Sequence, residues 1–169
     1  MELEEILMTR MSREQMNEAV TWVGQDQKRY QMLWDLVVRN EDPISRRAAW
    51  AMDIHFFKYP GMFPVSIQQI LDVLEKPCHT AMQRHLIKLL SLLPHWSEKY
   101  QGALFDLGIS SLNNPILPIA VRVHAMELAG RVGQQYPELL QELKTVLLAH
   151  VKEGSWGFKS RANKWLSLI

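Results

Sequence analysis

The chain has 169 residues, with 19 Lys or Arg against 18 Asp or Glu, a net charge of +1. A composition of 47% hydrophobic and 22% charged residues excludes a disordered tail or a collagenous chain, and a single cysteine, Cys78, excludes a disulfide framework. No apolar run is long enough for a membrane span and the first residues, Met1-Glu2-Leu3-Glu4-Glu5, are acidic rather than signal-like, so one soluble cytoplasmic domain over residues 1–169 is expected.

Ser12 and Gln15 have the spacing of a capping box, opening a helix that Gly24 is placed to end. Asp26 is placed to cap the next helix, predicted to run to about Arg39, with Tyr30, Leu33, Trp34, Val37 and Val38 on one face. Asp42-Pro43 has the form of an N-cap followed by a proline at the first helical position. Further stripes at helical period are Ile67, Ile70, Leu71 and Leu74, then Met82, Leu86, Leu89, Leu90 and Leu93. Tyr100, Ala103, Leu104 and Leu107 form another, and Leu139, Leu143, Val146, Leu147 and His150 the last. Breaks are predicted at Tyr59-Pro60-Gly61, Lys76-Pro77, Pro94, Asn113-Asn114-Pro115, Gly133 to Pro137, and Gly154. No useful length alternates with the period of two that a half-buried strand shows. The chain reads as all-α, with about nine helices.

Four arginines mark a repeat. Arg47, Arg84, Arg122 and Arg161 stand 37, 38 and 39 residues apart, each inside a similar segment: Arg46-Arg47-Ala48-Ala49-Trp50, Gln83-Arg84-His85-Leu86-Ile87, Val121-Arg122-Val123-His124-Ala125 and Ser160-Arg161-Ala162-Asn163-Lys164. After each of the first three comes a proline-containing turn (Pro60, Pro94, Pro137) and a second amphipathic helix. Residues 12–39 read as one further, degenerate pair. Two helices per unit with a period just under 40 residues is the pattern of an α-solenoid.

Asn40-Glu41-Asp42-Pro43-Ile44-Ser45-Arg46-Arg47-Ala48-Ala49-Trp50-Ala51-Met52 resembles the first-helix pattern of bacterial HEAT-like repeats, and Val121 to Val132 is a second, weaker match. The resemblance covers residues 40–169 and implies a right-handed α-α superhelix of stacked HEAT-like helical hairpins. In that family an Asp and an Arg commonly form a ladder between neighbouring repeats. Here only Asp42 stands five residues before its arginine, with His79, Leu117 and Trp156 in the equivalent places. The motif identifies a fold and carries no chemistry.

The arginine series admits two readings. Either it forms a positive stripe that holds an acidic peptide or phosphates, or each arginine packs its stem over a neighbouring helix and bonds to turn carbonyls or carboxylates, which snorkelling favours. Trp50, beside Arg46 and Arg47, is a candidate partner anchor, because Trp and Arg are favoured at binding hot spots. Trp96 and Trp156, in turns, are weaker candidates. The partner-binding set is therefore Arg47, Trp50, Arg84, Arg122 and Arg161. Residues 152–169 carry a net +3 and residues 1–18 a net −3, read as two solvated caps, a basic patch, or ends that associate. The six histidines show no metal-ligand spacing, and Cys78, near a helix start, reads as a buried inert thiol. No phosphate-binding Gly-rich loop or Gly-x-Ser-x-Gly elbow is present, so no cofactor is expected and nothing argues for an enzyme.

The function expected is a non-enzymatic protein–protein interaction or scaffold module with a protein or peptide partner. The alternative is a nucleic-acid-binding protein related to the HEAT-like alkylpurine DNA glycosylases, which hold damaged DNA on a basic concave surface. A nearly neutral chain departs from that second pattern.

Overall fold

The computed structural model describes residues 2–152 and 154–169, which form ten helices and no strand. They are α1 (Glu2–Thr9), α2 (Arg13–Val23), α3 (Gln27–Val38), α4 (Ile44–Lys58), α5 (Ile67–Leu74), α6 (Thr80–Leu92), α7 (Glu98–Asn113), α8 (Ile119–Gly133), α9 (Pro137–His150) and α10 (Trp156–Leu166). The helix beyond the expected nine is α1, a two-turn element whose Leu3 and Leu7 are buried. None of the helices is long and apolar enough to cross a membrane. The chain divides into two compact units, Met1–Leu89 and Leu90–Ile169, with the division falling inside α6.

Most of the predicted caps form. Ser12 Oγ accepts from the Gln15 N–H at 3.1 Å, Gly24 ends α2 at φ 52°, and the Asp26 carboxylate accepts from the Lys28 and Arg29 N–H groups at 2.8 and 3.0 Å. Gln15 does not return its side chain to Ser12. Its amide donates instead to Ile6 O at 2.6 Å, satisfying a carbonyl at the end of α1. The reciprocal box is at Ser66 and Gln69, opening α5. Asp42 is not an N-cap either. Its carboxylate pairs with Arg46 Nε at 2.8 Å, while Ser45 Oγ accepts from the Glu41 N–H at 2.8 Å and donates to Leu36 O at 2.6 Å.

In the first unit α4 is the central helix, packed against α1, α2 and α3. Its interior face is rich in small side chains, with Ala48, Ala49 and Ala51 buried beside Met52, which lets three neighbours approach. Met16, Val20, Leu33, Trp34 and Val37 complete that core.

In the second unit α7 and α8 make the most intimate contact, and α9 and α10 pack on α8. The expected face of α7 is displaced. Ala103 is exposed, and the buried side is Gln101, Leu104, Phe105, Gly108, Ser111 and Leu112. Hydrophobic patterning passes over Gly108 and Ser111, yet close approach of α8 is what puts them inside. A β-carbon at Gly108 would stand 2.9 Å from Ala125 O and from the N and Cβ of Ala129. On the other side of α8, Gly130 lies directly under the Trp165 ring, where a β-carbon would fall 2.4 Å from the indole.

Two glycines on α7 should therefore respond in opposite senses to added bulk. Gly108→Val is expected to lose about 1–3 kcal/mol, because backbone atoms of α8 cannot give way. Gly102→Ala meets nothing within 4 Å and is expected to gain roughly 0.5–1 kcal/mol from helix propensity. Urea denaturation of the two variants checks both signs, and a stabilised Gly108→Val would refute the close packing.

Candidate functional site: a basic cleft between two repeats

The register that aligns Arg47 with Arg84 brings the first halves of α4 and α6 to one cleft in the first unit. Arg46, Arg47 and Trp50 come from α4, Ala81, Arg84 and His85 from α6, and Met11 from the turn before α2. Its volume is about 110 Å³. Arg46 is shared with a wider neighbouring cleft of about 370 Å³, which Asn40, Asp42, Ser45, Pro77 and His79 help to line.

The three guanidinium groups are held differently. Arg46 is the one with a carboxylate beside it, Asp42, placed out of line for a hydrogen bond. Arg47 donates from Nη1 to Leu7 O at 2.8 Å, at the end of α1, and its buried Nε–H has no partner. Arg84 donates from Nη2 to His85 Nε2 at 2.9 Å. Among the described residues no carboxylate lies within ion-pairing distance of Arg47 or Arg84.

Behind the cleft lies a polar network that the sequence reasoning missed. Asp53 Oδ2 accepts from His85 Nδ1 at 2.9 Å and from Lys88 Nζ at 3.0 Å, and Lys88 Nζ lies 2.8 Å from Oδ1. An arginine can only donate, so His85 Nε2 must be the acceptor and the imidazole is neutral, with its proton on Nδ1. Burial agrees, pushing the His85 pKa below its ordinary value against the pull of Asp53. Burial alone would raise the Asp53 carboxyl, but the hydrogen bonds from His85 and Lys88 outweigh it and hold it below the usual carboxylate range. Trp50 stacks on His85 with ring planes 14° apart and centroids at 6.5 Å, so the network fixes one wall of the cleft.

The repeat register does carry a signal for these residues. Asp53 is six residues after Arg47, where the other repeats have Leu90, Leu128 and Ser167. His85 stands at the place of Ala48, Val123 and Ala162, and Lys88 at that of Ala51, Met126 and Trp165. Ser167 apart, polar residues thus replace apolar ones at these positions.

Arg47, Trp50 and Arg84 are brought together. Arg122 and Arg161 belong to the second unit, each in a contact of its own. Arg122 is buried, donates from Nε to Leu112 O at 2.9 Å, and lies over the Phe158 ring. Arg161 pairs with Glu127 at 2.6 Å, and the same carboxylate oxygen accepts from Trp165 Nε1 at 3.3 Å. Trp96 donates from its indole N–H to Leu90 O at 3.0 Å beneath Arg131, whereas Trp156 is 85% exposed. Burial pushes the Cys78 thiol up, away from reactivity. Of the charges counted at the C-terminal end, Glu153 lies outside the described residues.

A family model described as a HEAT repeat domain matches residues 3–167. The chain belongs to the HEAT repeat family. The match also takes in residues 3–39, where the repeat pattern is most degenerate. No curated protein and no solved structure matches the chain.

Asp53→Ala is expected to cost about 3 kcal/mol, since it removes the acceptor of the buried His85 Nδ1–H and breaks the ion pair with Lys88. A second expectation concerns pH. His55 and His85 are both depressed below 6.5 by burial, so below that pH the unfolded chain binds protons before the folded one does. Stability should therefore fall as pH drops from about 7 through 6.5 toward the folded-state values. A urea midpoint that stays level or rises between pH 7.5 and pH 5.5 would contradict this assignment.

Proposed function

We propose that this protein is a non-enzymatic interaction module whose contact surface is the α4–α6 cleft of the first unit. One observation carries the reading: Arg47, Trp50 and Arg84, far apart in sequence, converge on one partly exposed cleft in which neither arginine has a carboxylate partner among the described residues. Arg and Trp around a small concavity are the residues that dominate binding energy at protein interfaces. Membership of the HEAT repeat family supports a module that presents helical faces to a partner. Arg122 and Arg161, engaged by Leu112 O and Glu127, act as braces of the second unit in this reading. A cytoplasmic setting suits a chain whose one thiol is unpaired.

Nothing specific favours the nucleic-acid alternative. A surface that tracks a polyanion needs several phosphate-neutralising cations. The first unit has 11 basic and 12 acidic side chains, so it carries no excess of positive charge. Affinity capture from the native cell lysate, with and without nuclease, tests the choice. The expected result is one protein recovered at near-equal stoichiometry, insensitive to nuclease and reduced about tenfold or more by Trp50→Ala, a loss of roughly 1.4 kcal/mol. Recovery abolished by nuclease would overturn the proposal.

A further inference from the structure

We propose that the occupant of the α4–α6 cleft is an acidic peptide segment of a partner protein, with one aliphatic side chain in the slot and flanking carboxylates on Arg84 and Arg47. This rests on the interaction reading above and adds the chemistry of the partner.

The slot has carbon walls. Met11, Trp50 and Ala81 line it between the arginines, and its volume is about 110 Å³. One aliphatic side chain fits. Met11 is 56% exposed, and an unbranched thioether at the mouth can adjust to the side chain it covers. Trp50 is held by its stacking on His85, and His85 by Asp53, so this wall is already ordered before anything binds.

The rim is cationic, and its charge faces an opening. A guanidinium has five N–H donors. Arg84 gives one nitrogen to His85 and Arg47 one to Leu7 O, and the remaining donors of both have no partner among the described residues. The acidic groups near the cleft are already engaged, Asp42 by Arg46 and Asp53 by His85 and Lys88. A carboxylate brought to Arg84 therefore meets a cation with no competing anion, in the bidentate geometry that guanidinium favours.

The test is selection of random linear peptides on the full chain, followed by fluorescence anisotropy with the enriched peptide made synthetically. Enrichment of sequences with Asp or Glu flanking Leu, Ile, Val or Met is expected. Binding should weaken about tenfold or more in Arg84→Glu and, separately, in Met11→Glu, which changes an exposed side chain and leaves the core untouched. Enriched peptides without acidic residues that still depend on Trp50 would overturn the acidic chemistry and leave the interaction module standing. Acidic peptides indifferent to both Glu substitutions would place the site elsewhere and overturn this proposal. If no peptide is enriched and an oligo(dT) probe binds through Arg84 instead, both the occupant and the module reading fall.

Discussion

Every α-helix ends with carbonyls that have no intrahelical partner, and ten short helices create that problem ten times over. At the ends of α1, α2, α3, α6 and α7 the structure answers it with side chains from later in the chain. Gln15 reaches back to Ile6 O, His55 Nε2 to Gly24 O at 2.7 Å, Ser45 to Leu36 O and Arg47 to Leu7 O. In the second unit Arg131 donates to Ser91 O and, at 3.1 Å, to Leu93 O, and Arg122 to Leu112 O. A cation at a helix C-terminus also meets the negative end of the macrodipole, so the arginines contribute twice. Each bond ties a helix end to another element, which is how elements of only two to four turns hold one arrangement.

That constraint explains why one series of equivalent arginines has several fates. Arg47 and Arg122 find a carbonyl, and Arg161 finds Glu127. Arg84 finds only a histidine, because the neighbouring polar position is filled by the Asp53–His85–Lys88 network. The cleft is the place where the carbonyl rule is least complete. A buried network of this sort adds little net stability over apolar packing, but removing one partner leaves charge stranded in the interior. It holds the cleft wall in place rather than strengthening the fold.

The helical fold was legible because its determinants are local. Stripes such as Met82, Leu86, Leu89 and Leu90, the Asp26 cap and the proline breaks act within a few residues, and all appear where periodicity places them. Departures occur where distant chain intervenes. The capping role expected at Asp42 gives way to a pair with Arg46, and the Ser12–Gln15 box is half formed because Gln15 is drawn to α1. On α7 the buried face moves to include Gly108 and Ser111, since closeness to α8 matters there more than apolarity.

The candidate site was half legible. Arg47 and Arg84 stood out by register and Trp50 by its place beside Arg46 and Arg47, while Asp53, His85 and Lys88 were visible only as polar exceptions at mostly apolar places. By itself the sequence determined the helices, their order and the repeat, all set by spacings of three to four residues and by a period of 37 to 39. The tertiary structure alone decided which arginines are braces and which keep donors free. That outcome depends on the carbonyl or carboxylate each side chain meets, 10 residues away for Arg122, 34 for Arg161 and 40 for Arg47. No local pattern encodes such a meeting, because it is a property of how two helices approach.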